Sequence, residues 1–398
     1  MELSKRLARV QPSATLSINA KAQQLRREGV RVVNFAVGEP DFDTPAHVKQ
    51  AAVQALHFDR TRYTPVSGIP ELKQAVCDWI RDFYGLNYSP SSVLVSCGGK
   101  HAIYNVLQAI LNPGDEVIIP APYWVSYPEM VALCDGVPVI VDCDFEKDYK
   151  LTPALLENAI TDKTRLVILN SPSNPTGCYY DRDELVELVA VLNKHPHVTV
   201  LSDDIYSHIL FNNRKWVNVA MVDETMLPRT VIIQAVSKTY AMTGWRIGFA
   251  VGPEEIISAA STVQSQSTSN PCSIAQWAAI AALRGDQTCV ARMAEEFENR
   301  CQYLVERLRQ IPGVKCVEPQ GAFYAFPDVS AFYGKKYDGI VVRNSVEMAE
   351  YLIDKANVAV VPGSAFGNDR CIRLSFALSW NELEEGLNRI DTALKALR

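Results

Sequence analysis

Short apolar runs alternate with amphipathic stretches through the first two-thirds of this chain. The runs fall at 93–96, 117–119, 137–141, 165–170, 198–201, 231–233 and 247–251, each a candidate strand. Another candidate covers 30–37. Between the runs, apolar residues recur at helical spacing. Leu16, Ala20 and Leu25 mark a helix over 14–28 that Gly29 stops. Ile69, Leu72, Val76, Trp79, Ile80 and Phe83 mark a second, and Ile103, Val106, Leu107 and Ile110 a third. Residues 184–192 read as a fourth. After a polar run at 265–273, helical patterns continue to about residue 310. Strand candidates at 314–317, 322–326, 358–361 and 371–376 and a helix at 381–397 then predict a smaller α+β unit. Alternating β and α signals predict an α/β fold, with a largely parallel sheet covered by helices on both faces.

Ligands on such sheets bind beyond the carboxyl ends of the strands. The loops that follow the runs are therefore the places to look for chemistry. After 93–96 come Gly98-Gly99 and a helix, the arrangement in which free backbone N–H groups and a positive helix end face an anion. After 165–170 comes Ser171-Pro172-Ser173-Asn174-Pro175-Thr176-Gly177, a rigid turn that carries an amide. The segment Ser202-Asp203-Asp204-Ile205-Tyr206 places a carboxylate and a phenol after a strand. After 231–233 comes Ser237-Lys238, and Arg246 follows eight residues later, just before 247–251. A lysine held between buried strands loses charge stabilisation and becomes a better nucleophile toward carbonyls. A fixed guanidinium close by could hold a phosphate. One aromatic cofactor with a phosphate, an aldehyde, a phenolic oxygen and a ring nitrogen would use all four loops.

Composition narrows the class. At 398 residues the chain is too long for one compact core, so two domains are expected. Hydrophobic residues make up 48% and charged residues 21%, as in globular proteins. A net charge of -6 argues against a nucleic-acid binder. No apolar stretch is long enough to span a membrane, and residues 1–10 lack the apolar core of a signal peptide. The ten cysteines include no Cys-x-x-Cys pair, which suggests a reduced, cytoplasmic protein. His195 and His197 flank Pro196 without cysteine or carboxylate at ligand spacing, so no metal site is expected.

The motifs Asn174-Pro-Thr-Gly, Ser202-Asp-Asp-Ile-Tyr206 and Ser237-Lys-Thr-Tyr-Ala-Met-Thr-Gly-Trp-Arg-Ile-Gly248 resemble those of the class I aminotransferases, pyridoxal-phosphate enzymes of fold type I. Pro40-Asp-Phe-Asp-Thr-Pro45, Ala121-Pro-Tyr-Trp-Val-Ser-Tyr-Pro-Glu-Met130 and Arg373-Leu-Ser-Phe376 extend the likeness over nearly the whole chain. It is strongest to the bacterial and plant-plastid type of aspartate aminotransferase. The resemblance implies a mostly parallel seven-stranded sheet in a large cofactor domain, residues 45–289. It also implies a small α+β domain built from both chain ends, residues 1–44 and 290–398. It implies a homodimer with shared active sites.

The resemblance also implies roles. Lys238 would carry the cofactor covalently and later move the proton at the substrate Cα, as one group that serves as anchor and as acid or base. Asp203 would face the pyridine nitrogen and keep it protonated. Tyr206 and Asn174 would bond the phenolic oxygen, and Trp124 would stack on the ring. The Gly99 and Lys100 amides, Ser237 and Arg246 would hold the phosphate, joined by Tyr63 of the neighbouring subunit. Arg373 would bind the substrate α-carboxylate through a bidentate fork, with a backbone contact from Gly38. Lys100 and Ser13 would meet the distal carboxylate of aspartate. A lysine at a helix N-terminus is unfavourable unless an anion lies close, which fits that role.

Two departures stand out. Relatives active on prephenate carry Lys or Arg before the Pro-Ser-Ala-Thr segment. This chain has Gln11 there, which argues against prephenate and leaves the aspartate reaction standing. Ala235 replaces a serine that many members use near the phosphate, a loss of about 1 kcal/mol. The expected reaction is transfer of the amino group of L-aspartate to 2-oxoglutarate. A broad aromatic or alanine aminotransferase and a bifunctional aspartate/prephenate aminotransferase of the same fold are the alternatives. A pyridoxal-phosphate-binding regulator would need an added DNA-binding domain, and the motifs start near residue 13. A catalytically dead scaffold would not need Lys238, Asp203 and Arg373.

Overall fold

The computed structural model describes residues 4–12 and 14–398. Its centre is a seven-stranded sheet. From one edge to the other the strands are Val93–Ser96, Gly248–Val251, Thr230–Ala235, Thr199–Asp203, Thr164–Asn170, Glu116–Ala121 and Val137–Asp142. Nearly every residue of the inner strands is buried, as a sheet covered on both faces requires. The helix Pro70–Tyr84 packs Leu72, Val76 and Ile80 into the core of one face. The helix Gly99–Ile110 packs Ile103, Val106 and Leu107 into the core of the other.

Gly248–Val251 runs antiparallel to both of its neighbours, whereas the rest of the sheet is parallel. This reversal has a consequence for the site. Gly248 pairs with Ser96 on one side and Ala235 on the other, so the start of this strand lies at the edge where its neighbours end. Arg246, two residues before the strand, is thereby delivered to the carboxyl edge of the sheet.

A second unit lies around the three-stranded antiparallel sheet of Val361–Pro362, Ile372–Ser375 and Tyr324–Ala325. Val33–Asn34 pairs in parallel with Val358–Ala359. Val33 and Phe35 share one apolar core with Phe297, Leu304, Phe376 and Leu387, so segments from both ends of the chain pack together.

Some elements differ from the expected pattern. The run 30–37 forms only the strand Val33–Asn34, because its backbone turns from one partner to another: Phe35 N bonds Ala359 O, and Phe35 O accepts from Ser375 N. The stretch 314–317 makes a single bridge, between Lys315 and Asp328. The helices Ala46–His57, Ser126–Leu133, Pro153–Ala159, Glu254–Ser265 and Ser345–Ala356 were not legible in the pattern. Ala46–His57 shows why. It buries Val48, Ala52 and Ala55 but exposes Val53 and Leu56, so its apolar residues circle the helix and leave no clean stripe.

Candidate active site

The loops at the carboxyl edge of the large sheet surround a cavity of about 270 Å³ closed by the second unit. Gly38, Gly99, Lys100, Trp124, Asn174, Asp203, Tyr206, Lys238 and Arg373 all line it. The sequence-predicted residues thus converge from seven segments of the chain. Ser237 is buried next to Lys238. Tyr63 lies elsewhere, on the outside, and is 92% exposed. Ser13 lies outside the described residues.

Lys238 sits in the one-turn helix Val236–Thr239 that follows the strand Thr230–Ala235. Val236 and Thr239 are buried and fix the turn. The Lys238 amine donates to the Gly38 carbonyl at 2.5 Å. Burial lowers its pKa to about 8; nearby Arg246 and Arg373 push the same way, and Glu39 and Asp203 oppose them. About a fifth of the amine is therefore neutral at pH 7.4, against about a thousandth for an ordinary lysine, and the neutral form is the one that attacks a carbonyl.

Asp203 ends its strand with its carboxylate in the cavity, and the residue is 4% exposed. Tyr127 donates to it at 2.5 Å and the Ile205 amide at 3.4 Å. Burial still pushes its pKa up to about 6, and no Lys, Arg or His side chain forms an ion pair with it among the described residues. A buried carboxylate of this kind is matched by a cationic ligand group. Behind it, Asp204 is fully buried and accepts from Ser202, Tyr84 and Asn218. Its pKa is raised to about 8, mainly by burial.

An anion cradle lies at the first loop. Gly98 has φ +90°, and a Cβ there would meet the Arg246 guanidinium at 2.3 Å. A Cβ on Gly248 would meet the Gly99 nitrogen at 2.3 Å. Two glycines thus let Arg246 and the helix N-terminus at Gly99 approach one another. Arg246 donates to the Thr243 and Cys97 carbonyls, which holds the guanidinium at this loop.

Arg373 is 2% exposed. It donates to Asn174 Oδ1 at 3.1 Å and to the Ala36 carbonyl at 2.8 Å. Its guanidinium lies 4.6 Å from the Tyr324 ring centroid and 5.1 Å from that of Phe366. Nε has no partner, although a buried donor normally has one. No carboxylate pairs with this buried cation among the described residues, so an anionic ligand would complete it. Because Arg373 only donates, Asn174 must turn its oxygen toward it, and the Asn174 Nδ2 is left for the cavity.

Three residues without an assigned role in the sequence hold this arrangement. Asn170 accepts from the Asn174 amide and donates to the Asp203 carbonyl, both at 2.8 Å, and ties two loops together. Tyr127 braces Asp203. Tyr324 bonds Tyr206 hydroxyl to hydroxyl at 2.9 Å. Tyr127 lies inside the Ala121–Met130 motif, where its aromatic ring reads as core. Tyr324 lies in the apolar run 322–326 and reads the same way.

A nucleophilic lysine, an unpaired buried carboxylate, an anion cradle and a buried arginine fork define an enzyme that binds anionic substrates and reacts through a carbonyl-type cofactor. The chain belongs to aminotransferase class I and II, whose family model matches residues 30–390. It is 47% identical over 396 residues to the aspartate/prephenate aminotransferase of Nitrosomonas europaea, covering 99% of this chain and 100% of that protein. It is 45% identical over 393 residues to the aspartate aminotransferase of a Bacillus species, covering 99% of each. Among solved structures, the aspartate aminotransferase of Rhizobium meliloti matches with a TM-score of 0.97 and 44% identity over the full length of both chains. The Thermus thermophilus aspartate aminotransferase with maleate matches with a TM-score of 0.92 and 41% identity, covering 99% of this chain and 100% of that one. The enzyme is a pyridoxal-phosphate-dependent aminotransferase. The site fits that cofactor, since the cradle, Asp203, Asn174 with Tyr206, and Lys238 each offer a partner for one of its polar groups.

Proposed function

We propose that this aminotransferase moves the amino group of L-aspartate to 2-oxoglutarate, giving oxaloacetate and L-glutamate by a ping-pong route. The observation that carries the reading is the pair of cations on one cavity, Arg373 and Lys100, with Lys238 on the same wall set. A dicarboxylic amino acid needs one cation for each carboxylate. The relative solved with maleate holds a dicarboxylate, which agrees with that reading.

Pyridoxal phosphate supplies an electron sink for the bond that breaks at the substrate Cα. The protein does the rest. Lys238 anchors the cofactor, and its freed amine then takes and returns the Cα proton. Its lowered pKa suits it to both directions. Asp203, braced by Tyr127, holds a proton on the ring nitrogen. Asn174 Nδ2 and the Tyr206 hydroxyl give hydrogen bonds to the phenolic oxygen. The backbone at Gly99 and Lys100, with Ser237 and Arg246, holds the phosphate, and Trp124 covers the ring. Arg373 and Gly38 take the α-carboxylate, and Lys100 and Ser13 take the distal one.

The protein acts as a homodimer in this reading. Tyr63, with the exposed apolar residues Val53, Leu56 and Phe58, forms the face that meets the second copy, and Tyr63 reaches that copy's phosphate site. We assign residues 45–289 to the cofactor domain and 1–44 with 290–398 to the small domain. A cytoplasmic location is supported by ten unpaired cysteines. No helix among the described residues is long and apolar enough to cross a membrane.

A second reading adds prephenate as an amino acceptor, because two relatives at 47% and 49% identity are named aspartate/prephenate aminotransferases. Gln11 stands where those relatives are expected to carry a basic residue, and its backbone N–H donates to the Glu129 carboxylate at 2.8 Å.

The test is an amino-donor panel against 2-oxoglutarate, read with the visible absorbance of the purified protein. Aspartate is expected to be the best donor and the protein to carry a visible cofactor band. A protein that stays colourless with added pyridoxal phosphate overturns the reading. A panel led by alanine or an aromatic donor overturns the aspartate assignment alone.

A further inference from the structure

Tyr206 and Tyr324 share one hydrogen bond at 2.9 Å, and neither hydroxyl has another partner among the described residues. Both residues are buried, at 4% and 1% exposure. Two phenols carry two O–H protons, and one bond uses one of them. The other proton sits on whichever phenol accepts. If Tyr206 donates, the spare proton sits on Tyr324. That oxygen is packed against Gly38, where a Cβ would come within 3.0 Å, and the Gly38 carbonyl already accepts from Lys238. If Tyr324 donates, the spare proton sits on Tyr206, which lines the cavity with Asn174 and Asp203. An acceptor bound in the cavity selects the second arrangement, and a donor that itself accepts a hydrogen bond is strengthened.

The Tyr324 ring also lies beneath the Arg373 guanidinium, 4.6 Å from it. A desolvated cation over an aromatic face is held by the ring quadrupole. Arg373 in turn orients Asn174. One side chain thus touches both the phenol and the arginine, and the backbone of Gly38 as well.

We infer that Tyr324 is a positioning residue of this site: its hydroxyl donates to Tyr206 and turns the Tyr206 proton toward the cofactor's phenolic oxygen, while its ring steadies the Arg373 fork. The inference rests on the aminotransferase reading above. It makes two separable parts of one residue responsible for two different functions. The hydroxyl tunes the protonation of the lysine-bound cofactor, and the ring face tunes binding of the α-carboxylate.

The experiment compares Tyr324→Phe, Tyr324→Leu and Tyr206→Phe in the pyridoxal-phosphate-loaded enzyme. The first readout is the pH midpoint of the visible absorbance change; the second is KM for donor and acceptor. Tyr324→Phe keeps the ring and fills the same space. Its midpoint should rise by about 0.5 to 1 pH unit with KM within about twofold of the parent, since a weaker donor to the phenolic oxygen destabilises the deprotonated form. Tyr324→Leu should show the same shift and raise KM for both substrates about tenfold. The double variant Tyr206→Phe/Tyr324→Phe should shift no further than Tyr206→Phe alone, because the two hydroxyls act in series. An unchanged midpoint in Tyr324→Phe overturns the inference while the aminotransferase reading stands. Additive shifts in the double variant overturn it as well. A parent protein with no pH-dependent visible band overturns the aminotransferase reading and the inference with it.

Discussion

Arg373 and Lys100 line the same cavity and differ in almost everything else. Arg373 is buried, bonded to Asn174 and Ala36, and bracketed by the rings of Tyr324 and Phe366. Lys100 is exposed at the first turn of its helix, and its amine lies 4.9 Å over the Trp124 ring. Its pKa is lowered, first by partial burial and then by Arg246. Near it on the cavity wall stand Thr15 and Leu16, the latter 69% exposed. The contrast matches the two tasks proposed for them. Every amino acid and 2-oxo acid carries the same α-carboxylate, so that end can be fixed in advance and bind with little ordering cost. The distal group differs between substrates, and the partner proposed for it is a flexible chain that loses up to about 2 kcal/mol of rotamer entropy on being fixed.

Mutations can break this contrast or sharpen it. Lys238 serves both ends, so Lys238→Ala should lower turnover of every substrate by more than about 10⁴-fold while far-UV circular dichroism stays unchanged. Near-parental turnover would contradict the assignment. Arg373→Leu should lower kcat/KM by about 10³-fold for aspartate and for an aromatic donor alike, since it removes a buried cation that both require. A loss confined to one donor would mean that Arg373 also reads the side chain. Lys100→Ala should raise KM about tenfold more for aspartate than for an aromatic amino acid. Equal effects on both would remove Lys100 from the distal end.

The smaller effects concern protonation and the N-terminal segment. In the cofactor-free protein, Lys238 has a pKa of about 8 against an ordinary 10.5. Between those values the unfolded chain holds the extra proton, so this group adds stability as pH rises through that window. Below pH 8 it costs stability, by about 3 kcal/mol at most. Lys238→Met should therefore raise the urea midpoint of the cofactor-free protein at pH 7, and the gain should vanish near pH 10.5. A gain independent of pH would place its origin in packing. Gln11→Lys should improve prephenate use a few-fold, as one partly exposed ion pair would. No change would show that the segment before Ser13 leaves acceptor choice alone.

Much of the site was legible because it is carried by local sequence. A strand followed by Gly98-Gly99 and a helix, or by Ser237-Lys238, states its own geometry, since the carboxyl edge of a parallel sheet is where such loops gather. Tyr324 and Tyr127 were not legible. Each looks like an ordinary core aromatic in its own segment, and its function depends on a partner 118 or 76 residues away. The run 30–37 misled for a related reason: its apolar residues satisfy two unrelated neighbours in turn.

The sequence by itself determined the alternating architecture and the candidates for a reactive lysine and its cofactor's partners, because periodicity and loop chemistry act over a few residues. Tertiary structure decided which of those groups touch. It brought Arg246 to the Gly98-Gly99 loop by reversing one strand, and it closed the cavity with Arg373 and Tyr324 from the far end of the chain. It also set the pKa values of Lys238 and Asp203, since burial is a property of the whole packed molecule and of no single segment.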